Sequence, residues 1–376
     1  MKKGLTKKLS FSVVGAGNGG QGLAAYLAYK GYDVNLYNRS MKKILNIKKR
    51  GYIDLEGNII GRGHLKLVTN NIEKAIKDVD IIMVVLPACA HKSIANKIAP
   101  FLTSEQYIVL NPGRTGGALE FKSIIERYNP MKEVCIIEAQ TFLFACRLLE
   151  EGRVKILQKK QEIKVAALPS KRTYEFIEKI HKILPEFTSV NSVLETSFNN
   201  IGAVLHPIPT ILNCGRIEST LGDFNYYIDG ITPAVAKIVE QADYERMMVA
   251  TKLGVKTISL KEWLAYTYDA HGDTLCESLR NTECYWEIKA PATVNTRYIF
   301  EDVPQSLVPI SDMGRYLGIN TPTIDSMIHI ASILHDIDYY KKGRKVVDMG
   351  IEGLTLEEIK SYVQYGRAID LEGAVV

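Results

Sequence analysis

The sequence has no long apolar segment, few cysteines and no strong excess of charge of either sign. Its apolar runs stay shorter than the roughly 18 residues that a membrane-spanning helix needs, so no membrane partner is expected. The six cysteines form no CxxC pair and the histidines no zinc-type spacing, so we expect no metal and interpret the cysteines as buried thiols in a reducing compartment. A net charge of +5 is too mild for nucleic-acid binding but suits an enzyme with anionic ligands.

The N-terminal segment is basic but lacks the apolar core of a signal peptide. Residues 1–8 read MKKGLTKK, and the chain then runs directly into a short apolar stretch that ends in glycine. We therefore expect a cytoplasmic protein. The length of 376 residues favours two domains, since single hydrophobic cores seldom grow beyond about 250–300 residues.

Strand and helix patterns alternate in the first half of the chain, and helical patterns dominate the second. Apolar runs typical of buried strands occur at 9–14, 33–37, 65–69, 80–86, 107–110, 134–137 and 164–167. Helical periodicity occurs at 20–30, 71–77, 90–101, 232–253, 260–270, 278–283 and 321–338. These patterns predict an α/β protein. A Rossmann domain with a doubly wound parallel sheet is expected over residues 1–190, and a mostly α-helical domain over 191–376.

A glycine-rich turn follows the first predicted strand. Gly15, Gly17 and Gly20 match the pattern GxGxxG, with Asn18 and Gly19 between them. The pattern alone is weak, but here a strand precedes it, a helix follows it and a second strand ends near residue 37. In this context the glycines permit a tight turn, close approach of a pyrophosphate and close packing of helix on strand. The sequence therefore predicts a dinucleotide held at a helix N-terminus.

The end of the second strand bears on which nicotinamide cofactor binds. NAD-specific sites usually place a carboxylate there, whereas this chain has Asn38, Arg39 and Ser40, followed by Lys42 and Lys43. A guanidinium attracts a 2′-phosphate and a hydroxyl can donate a hydrogen bond to it. NADP(H) is therefore the preferred cofactor, and NAD(H) remains an alternative if Arg39 merely stacks on the adenine.

Two further strand ends are expected to border the nicotinamide ribose. Leu86 and Pro87 follow the run at 80–86, and the sequence Asn-Pro-Gly at 111–113 follows the run at 107–110. In open α/β sheets, ligands lie at the carboxyl ends of the strands.

Four segments resemble the octopine/nopaline (opine) dehydrogenase family. They are VVGAGNGGQGLAAYLAYKGYDVNLYNR at 13–39, VLNPGRTGGALEF at 109–121, EAQTFLFACR at 138–147 and NNIGAVLHPIPTILNCGRIE at 199–218. The first is shared with many dehydrogenases, and the last is the most specific. The resemblance implies NAD(P)H-dependent reductive condensation of an amino acid with an α-keto acid such as pyruvate.

The resemblance also implies roles for individual residues. His206 matches the family's catalytic histidine, and imidazole suits general acid–base catalysis because it titrates near neutral pH. Arg297 and Asp302 reproduce an arginine–aspartate spacing of the family, with Arg297 binding a substrate carboxylate and Asp302 orienting His206. Glu301 is an alternative for the role of Asp302, and Asn200 is a candidate for substrate binding. The expected partners are these small molecules, with a homodimer as the considered assembly.

Two other functions compete with this hypothesis. Ketopantoate reductases and glycerol-3-phosphate dehydrogenases join similar domains but usually use a catalytic lysine, and this chain has no lysine between residues 183 and 236. A protein that binds NADP(H) without turnover would have no need for His206 together with an arginine and a carboxylate. Oxidation of the cofactor with pyruvate and an amino acid distinguishes the three.

Overall fold

The structure, a computed structural model, describes residues 8–367, so the first seven residues of the basic N-terminal segment lie outside its described part. Two compact units make up the described chain. The first, called the α/β unit, comprises residues 8–113, 117–196 and 361–367. The second, called the helical unit, comprises residues 114–116 and 197–360. The main division thus falls between Thr196 and Ser197. Residues 114–116 belong to the helical unit although both flanking segments belong to the α/β unit, and residues 361–367 return to the α/β unit.

The strands of the described chain all belong to the α/β unit. They are β1 (Ser10–Val14), β2 (Asp33–Tyr37), β3 (Tyr52–Gly57), β4 (Gly61–His64), β5 (Leu67–Thr69), β6 (Ile81–Val84), β7 (Tyr107–Leu110), β8 (Cys135–Ala139), β9 (Phe144–Glu150), β10 (Arg153–Lys159), β11 (Ile163–Leu168) and β12 (Phe187–Ser189). The helices of this unit are α1 (Asn18–Tyr29), α2 (Leu45–Arg50), α3 (Ile72–Ile76), α4 (His91–Ile98), α5 (Gly117–Tyr128) and α6 (Thr173–Ile180).

Eight strands form the main sheet, in the order β12-β11-β8-β7-β6-β1-β2-β5. From β8 to β5 the neighbours are parallel, and β6 and β7 are buried along their whole length. The predicted Rossmann fold is therefore confirmed. The one departure is β11, which pairs antiparallel with β8, because the chain leaves the sheet at the carboxyl end of β8 and re-enters at the same end.

A second sheet was not predicted from the sequence. Its strands lie in the order β4-β3-β10-β9, and β3 pairs with β10 across about one hundred residues of chain. Only alternate residues of β3 are buried, Ile53 and Leu55 among them. This sheet packs on α1 so closely that a Cβ on Gly63 would lie 2.3 Å from the carbonyl oxygen of Ala25.

The helical unit confirms the predicted change to α structure. Its helices are α8 (Gly202–Leu205), α9 (Pro207–Leu212), α10 (Cys214–Thr220), α11 (Pro233–Lys252), α12 (Leu260–Tyr268), α13 (Leu275–Arg280), α14 (Arg297–Phe300), α15 (Val308–Tyr316), α16 (Pro322–His335) and α17 (Tyr339–Lys342). The helices α7 (Val193–Phe198) and α18 (Leu356–Tyr365) each contain residues assigned to both units. The predicted helix at 278–283 was misplaced, because a capping box between Thr274 and Glu277 starts α13 earlier.

Two expectations from the sequence concern membrane-spanning helices and the burial of the cysteines. Within residues 8–367, no helix combines the length and the apolarity that crossing a membrane requires. The expectation of buried cysteines holds for Cys135 and Cys276 but is wrong for Cys89 and Cys284, which are exposed. An apolar sequence neighbourhood did not guarantee burial, because both exposed cysteines lie in or beside short 3₁₀ turns rather than on a core-facing strand.

Candidate active site

The glycine turn after β1 is built so that only glycine fits at two of its positions. Gly15 has φ +114°, and a Cβ there would lie 2.3 Å from the carbonyl oxygen of Val85. A Cβ on Gly20 would lie 1.8 Å from the carbonyl oxygen of Gly15. Gly17 differs, because nothing lies within 4 Å of its ideal Cβ position. The surface beside Gly17 is therefore open, as close approach of a ligand's phosphates would require.

Helix α1 presents its N-terminus at this turn. Gly17 occupies the N-cap position without a side-chain cap, and the first turn contains no acidic residue. The amide groups at Asn18 and Gly19 and the positive end of the helix dipole are thus available to an anion. The ring of Phe142 packs against Gly19 so closely that a Cβ there would lie 2.8 Å from it. Phe142 was not among the predicted site residues.

The end of β2 supports the glycine turn and also carries the exposed basic residues. The Asn38 side chain accepts a 3.4 Å hydrogen bond from the Ala16 amide and donates a 2.9 Å bond to the Ser40 carbonyl oxygen. Asn38 thus braces the turn, whereas the Arg39 and Ser40 side chains are exposed.

The predicted residues after β6 lie beside the same turn. A side-chain carbon of Leu86 is 2.8 Å from the ideal Cβ position of Gly15, so Leu86 closes over the glycine. Pro87 follows it and is exposed. The structure therefore brings Leu86 to the glycine turn and leaves Pro87 at the surface.

In the helical unit, His206 and Asp302 form a pair. His206 lies between α8 and α9, and its Nδ1 atom is 3.1 Å from Oδ2 of Asp302. The Asp302 side chain is 1% exposed and that of His206 is 25% exposed. Because Nδ1 faces the carboxylate, Nε2 is the ring nitrogen on the opposite side of the imidazole from Asp302.

Aromatic residues fix the His206 ring from one side. The ring stacks on Tyr298 of α14, with centroids 4.6 Å apart and planes 17° from parallel. The Tyr226 hydroxyl donates a 2.6 Å hydrogen bond to the backbone carbonyl oxygen of His206. Burial raises the pKa of Tyr298 and that of Tyr226, so both phenols stay protonated around neutral pH. The histidine therefore has both its ring plane and its backbone anchored.

Glu301, the alternative candidate for orienting His206, pairs with Arg297. Its Oε2 atom accepts a 2.7 Å hydrogen bond from Nε of Arg297 and lies 2.6 Å from Nη2 of the same guanidinium. The two residues are one helical turn apart, and Glu301 is buried whereas the Arg297 side chain is 59% exposed. The predicted spacing of Arg297 and Asp302 thus places the aspartate on the histidine and the arginine on the neighbouring glutamate.

Arg114 belongs to the same group of charges, although sequence reasoning assigned it no role. Its Nη1 atom is 2.9 Å from Oδ1 of Asp302, and its Nε atom is 3.5 Å from Oε1 of Glu301. Burial opposes the charge of Arg114, but the carboxylates of Asp302 and Glu301 raise its pKa. The available signal was an arginine among glycines at the carboxyl end of a buried strand, in the segment NPGRTGG.

Asn200 is buried and contacts the turn that follows Asp302. Its side-chain nitrogen donates a 3.4 Å hydrogen bond to the Ser306 hydroxyl, and the residue is 6% exposed. Ser306 lies in the π-helical turn Val303–Leu307 that follows Asp302. The amide of Asn200 thus braces the turn behind the aspartate.

Two family models match the chain, one on each side of residue 180. The model of the α-helical domain of NAD/NADP octopine/nopaline dehydrogenases matches residues 189–335. The model of ketopantoate reductase PanE/ApbA matches residues 11–170, the part with the glycine turn. The helical match therefore separates this chain from the competing reductases.

Relatives and solved structures agree with the helical match. An opine dehydrogenase of Arthrobacter sp. (strain 1C) is 41% identical over 356 residues, which cover 94% of this chain and 99% of the relative. A vitopine synthase of Allorhizobium ampelinum is 26% identical over 76% of this chain and 78% of its own. An octopine dehydrogenase solved with NADH and L-arginine shares the fold, with a TM-score of 0.77 at 20% identity over 94% of this chain and 98% of its own.

Yersinopine dehydrogenase bound to NADP⁺ also shares the fold, with a TM-score of 0.73 at 15% identity, over 95% of this chain and 98% of its own. The nicotinamide cofactors of these relatives suit the glycine turn described above. The chain therefore belongs to the octopine/nopaline (opine) dehydrogenase family, and it is an NAD(P)-dependent oxidoreductase that carries out reductive condensation of an amino acid amine with an α-keto acid.

Proposed function

We propose that this enzyme uses NADPH in preference to NADH, accepts an α-keto acid such as pyruvate, and uses His206 as its acid–base residue. The observation that carries the proposal is the 3.1 Å contact between His206 and the buried carboxylate of Asp302. Solved octopine dehydrogenases bound to L-arginine or pyruvate support an amino acid and a keto acid as substrates.

The reaction needs one group that can both take and give a proton. The amine attacks the keto carbon, water leaves, and the resulting imine carbon receives a hydride, which the reduced nicotinamide supplies when bound. Nε2 of His206 is suited to take a proton from the attacking ammonium group and to return one as the carbinolamine oxygen leaves as water. Overall, one C–N bond and one C–H bond form at the former carbonyl carbon, both bonds of its C=O group break, the oxygen leaves as water and the cofactor is oxidised by two electrons.

Asp302 acts on the histidine in two ways in this proposal. Its carboxylate accepts the proton on Nδ1, which leaves the lone pair of neutral imidazole on Nε2. Its negative charge also stabilises the imidazolium that forms when Nε2 takes a proton. Because Asp302 is buried, water does not compete for the carboxylate oxygens as it would at the surface.

Arg297 can bind a substrate carboxylate while keeping its contact with Glu301. A guanidinium has five N–H donors, and Arg297 donates from Nε to Glu301 while its Nη2 lies 2.6 Å from the same carboxylate oxygen. The donors at the far end of the guanidinium form a second fork, whose geometry matches two carboxylate oxygens. Glu301 would thus fix the orientation of the arginine, and Asn200 would contribute to substrate binding through its remaining amide atoms.

The preference for NADPH rests on the charges near the end of β2. Arg39, Ser40, Lys42 and Lys43 are all exposed, and no carboxylate occurs between residues 38 and 53 to repel a 2′-phosphate. The glycine turn and the N-terminus of α1 would hold the pyrophosphate through Gly17, Asn18 and Gly19. The ribose and its phosphate would then face Asn38–Ser40.

A screen of amino acids crossed with α-keto acids tests this function. NADPH oxidation should require both partners, and mass spectrometry should detect the secondary-amine dicarboxylate as the product. His206→Asn should abolish this signal, while His181→Asn, a change at an exposed histidine of the α/β unit, should not. A 2-hydroxy acid formed from the keto acid alone would contradict the proposal, because it would identify a ketone reductase.

A further inference from the structure

The charged groups behind His206 alternate in sign. In order of contact they are Arg297, Glu301, Arg114 and Asp302, and Asp302 contacts His206. The three inner members, Glu301, Arg114 and Asp302, have side chains that are at most 10% exposed. Opposite charges in such an environment are coupled more strongly than at the surface, because water screens them less. Removing the charge of one member therefore changes the electrostatic energy of the next.

The backbone holds Arg114 in a conformation that non-glycine residues rarely adopt. Its φ angle is +60°, in the left-handed region. Contacts within the helical unit secure this segment: the Gly116 amide donates to the Ser197 hydroxyl at 3.0 Å, and the Thr115 carbonyl oxygen accepts from Arg344 at 2.6 Å. A strained residue persists only where its surroundings determine it this strongly. In this backbone conformation, the Arg114 guanidinium contacts the carboxylates of Glu301 and Asp302.

Asp302 is shared between two partners through its two oxygens. Oδ2 faces His206, and Oδ1 faces Arg114 at 2.9 Å. The cation holds one oxygen of the aspartate in place, and its positive charge also opposes a second positive charge on the nearby imidazole. Both effects act on the proton of His206, although the arginine is not placed on the reacting atoms.

We propose that Arg114 is a positioning residue, which fixes the Asp302 carboxylate and sets the pH at which His206 exchanges its proton. The inference rests on the proposed acid–base role of His206. Three groups contact His206 directly: Asp302 on its Nδ1 side, Tyr298 on its ring face and Tyr226 at its backbone. Arg114 is the fourth group, and Gly202 lies between it and the imidazole. A Cβ on Gly202 would be 3.3 Å from the arginine Nη1 and 2.8 Å from the imidazole Cε1. Of these, Arg114 is the cation, and its removal favours the protonated imidazole.

Histidine-labelled apo protein tests this coupling without turnover. NMR titration of the seven histidines, with His206→Asn to assign the signal, gives the midpoint for His206. We expect Arg114→Gln to move this midpoint up by about one pH unit, which is about tenfold stronger proton binding. The acid limb of the pH profile of kcat should move in the same direction. Arg246→Lys, which alters a fully buried arginine paired with Asp243, should leave both unchanged.

The conservative change Arg114→Lys keeps the test decisive if Arg114→Gln does not fold. Lysine retains the charge but cannot contact both carboxylates through a planar fork. We expect kcat to fall at least about tenfold with KM little changed, as for loss of an interaction made in the transition state. An unchanged His206 midpoint in folded Arg114→Gln, or unaltered kinetics in Arg114→Lys, would overturn the inference.

The two proposals fail in different ways. If His206→Asn remained fully active while Arg114→Gln still moved the His206 midpoint, the acid–base assignment would be wrong and the coupling correct. If His206→Asn were inactive and the midpoint did not move, Arg114 would have a purely structural role.

Discussion

Arg297 and Glu301, one helical turn apart, meet at a single carboxylate oxygen, which lies 2.7 Å from Nε and 2.6 Å from Nη2 of the arginine. The glutamate is buried and the arginine is largely exposed, so the pair anchors one end of the guanidinium and leaves the other end to solvent or ligand. This geometry separates the tasks of two adjacent carboxylates. Glu301 contacts the arginine, and Asp302 contacts the histidine.

The first prediction concerns Arg297. Arg297→Lys should raise the KM for the keto acid about tenfold or more, because lysine keeps the charge but loses the fork that grips two oxygens. The dissociation constant for NADPH should stay the same, as measured by fluorescence titration. Lys252→Arg, a change near the C-terminal end of α11, is a control for general effects of altering a cation in this unit. An unchanged KM for the keto acid would remove Arg297 from substrate binding.

The second prediction concerns cofactor choice. Arg39→Asp should reverse a preference for NADPH, because it replaces a charge-assisted contact worth about 1.5–3 kcal/mol with repulsion of the 2′-phosphate. The ratio of kcat/KM for the two cofactors measures this. Lys48→Asp, at an exposed position of α2, should leave the ratio unchanged. Equal use of NADPH and NADH by the unmutated enzyme would refute the argument from Arg39.

The third prediction contrasts two glycines of the same turn. Gly17→Ala should leave the stability of the apo protein unchanged, since its Cβ position is open, yet weaken dinucleotide binding about tenfold or more by crowding the pyrophosphate. Gly20→Ala should lower the free energy of unfolding by at least about 1–3 kcal/mol, because its Cβ would strike the Gly15 carbonyl oxygen. Calorimetry of apo and cofactor-bound variants separates the effects. Similar losses of apo stability for both would show that Gly17 has a packing role as well.

Much of the α/β unit could be predicted because its strands are short, apolar and buried on both faces. The runs at 33–37 and 107–110 correspond residue for residue to β2 and β7. The second sheet was not predicted because β3 is only partly buried and its pairing with β10 joins segments far apart in the chain. Local pattern carries no information about such pairings.

The residues of the candidate site were likewise predicted only in part from the sequence. The spacing of Arg297 and Asp302, taken with the family resemblance, was sufficient to name them, and the structure places Asp302 beside His206. The contacts of Arg114 could not be predicted, because they depend on a left-handed backbone conformation and on residues almost two hundred positions away. The partner of Asn200 likewise lies in a π-helical turn that no local pattern indicated.

The fourth prediction concerns the pH dependence of stability in the second sheet. Asp54 pairs with Arg62 at 2.7 Å and Arg50 at 2.6 Å. Partial burial opposes ionisation, but the two arginines lower the pKa of Asp54 below its ordinary value. The stabilisation is therefore fully present above about pH 4, the usual range of an aspartate, and is lost as the pH falls through the lowered pKa.

Asp54→Asn should accordingly reduce the free energy of unfolding at pH 7 by about 0.5–1 kcal/mol, a range that allows for screening by solvent. The difference from the unmutated protein should shrink as the pH approaches 3. Urea unfolding at several pH values measures both effects. Asp33→Asn removes an exposed pair with Lys66 and should change stability less. A difference that grows on acidification would contradict the assigned sign.

The acid–base role of His206 is the central claim, and single-turnover kinetics of His206→Ala test it most directly. With NADPH, a keto acid and an amino acid prebound, the rate of NADPH oxidation should fall about 10²–10⁴-fold, while NADPH affinity stays within a few-fold of the unmutated value. Asp302→Asn should show a smaller loss confined to kcat, because it removes the charge that stabilises imidazolium but keeps the size of the side chain. A rate for His206→Ala within a few-fold of the unmutated enzyme would contradict the account and assign the proton to another residue.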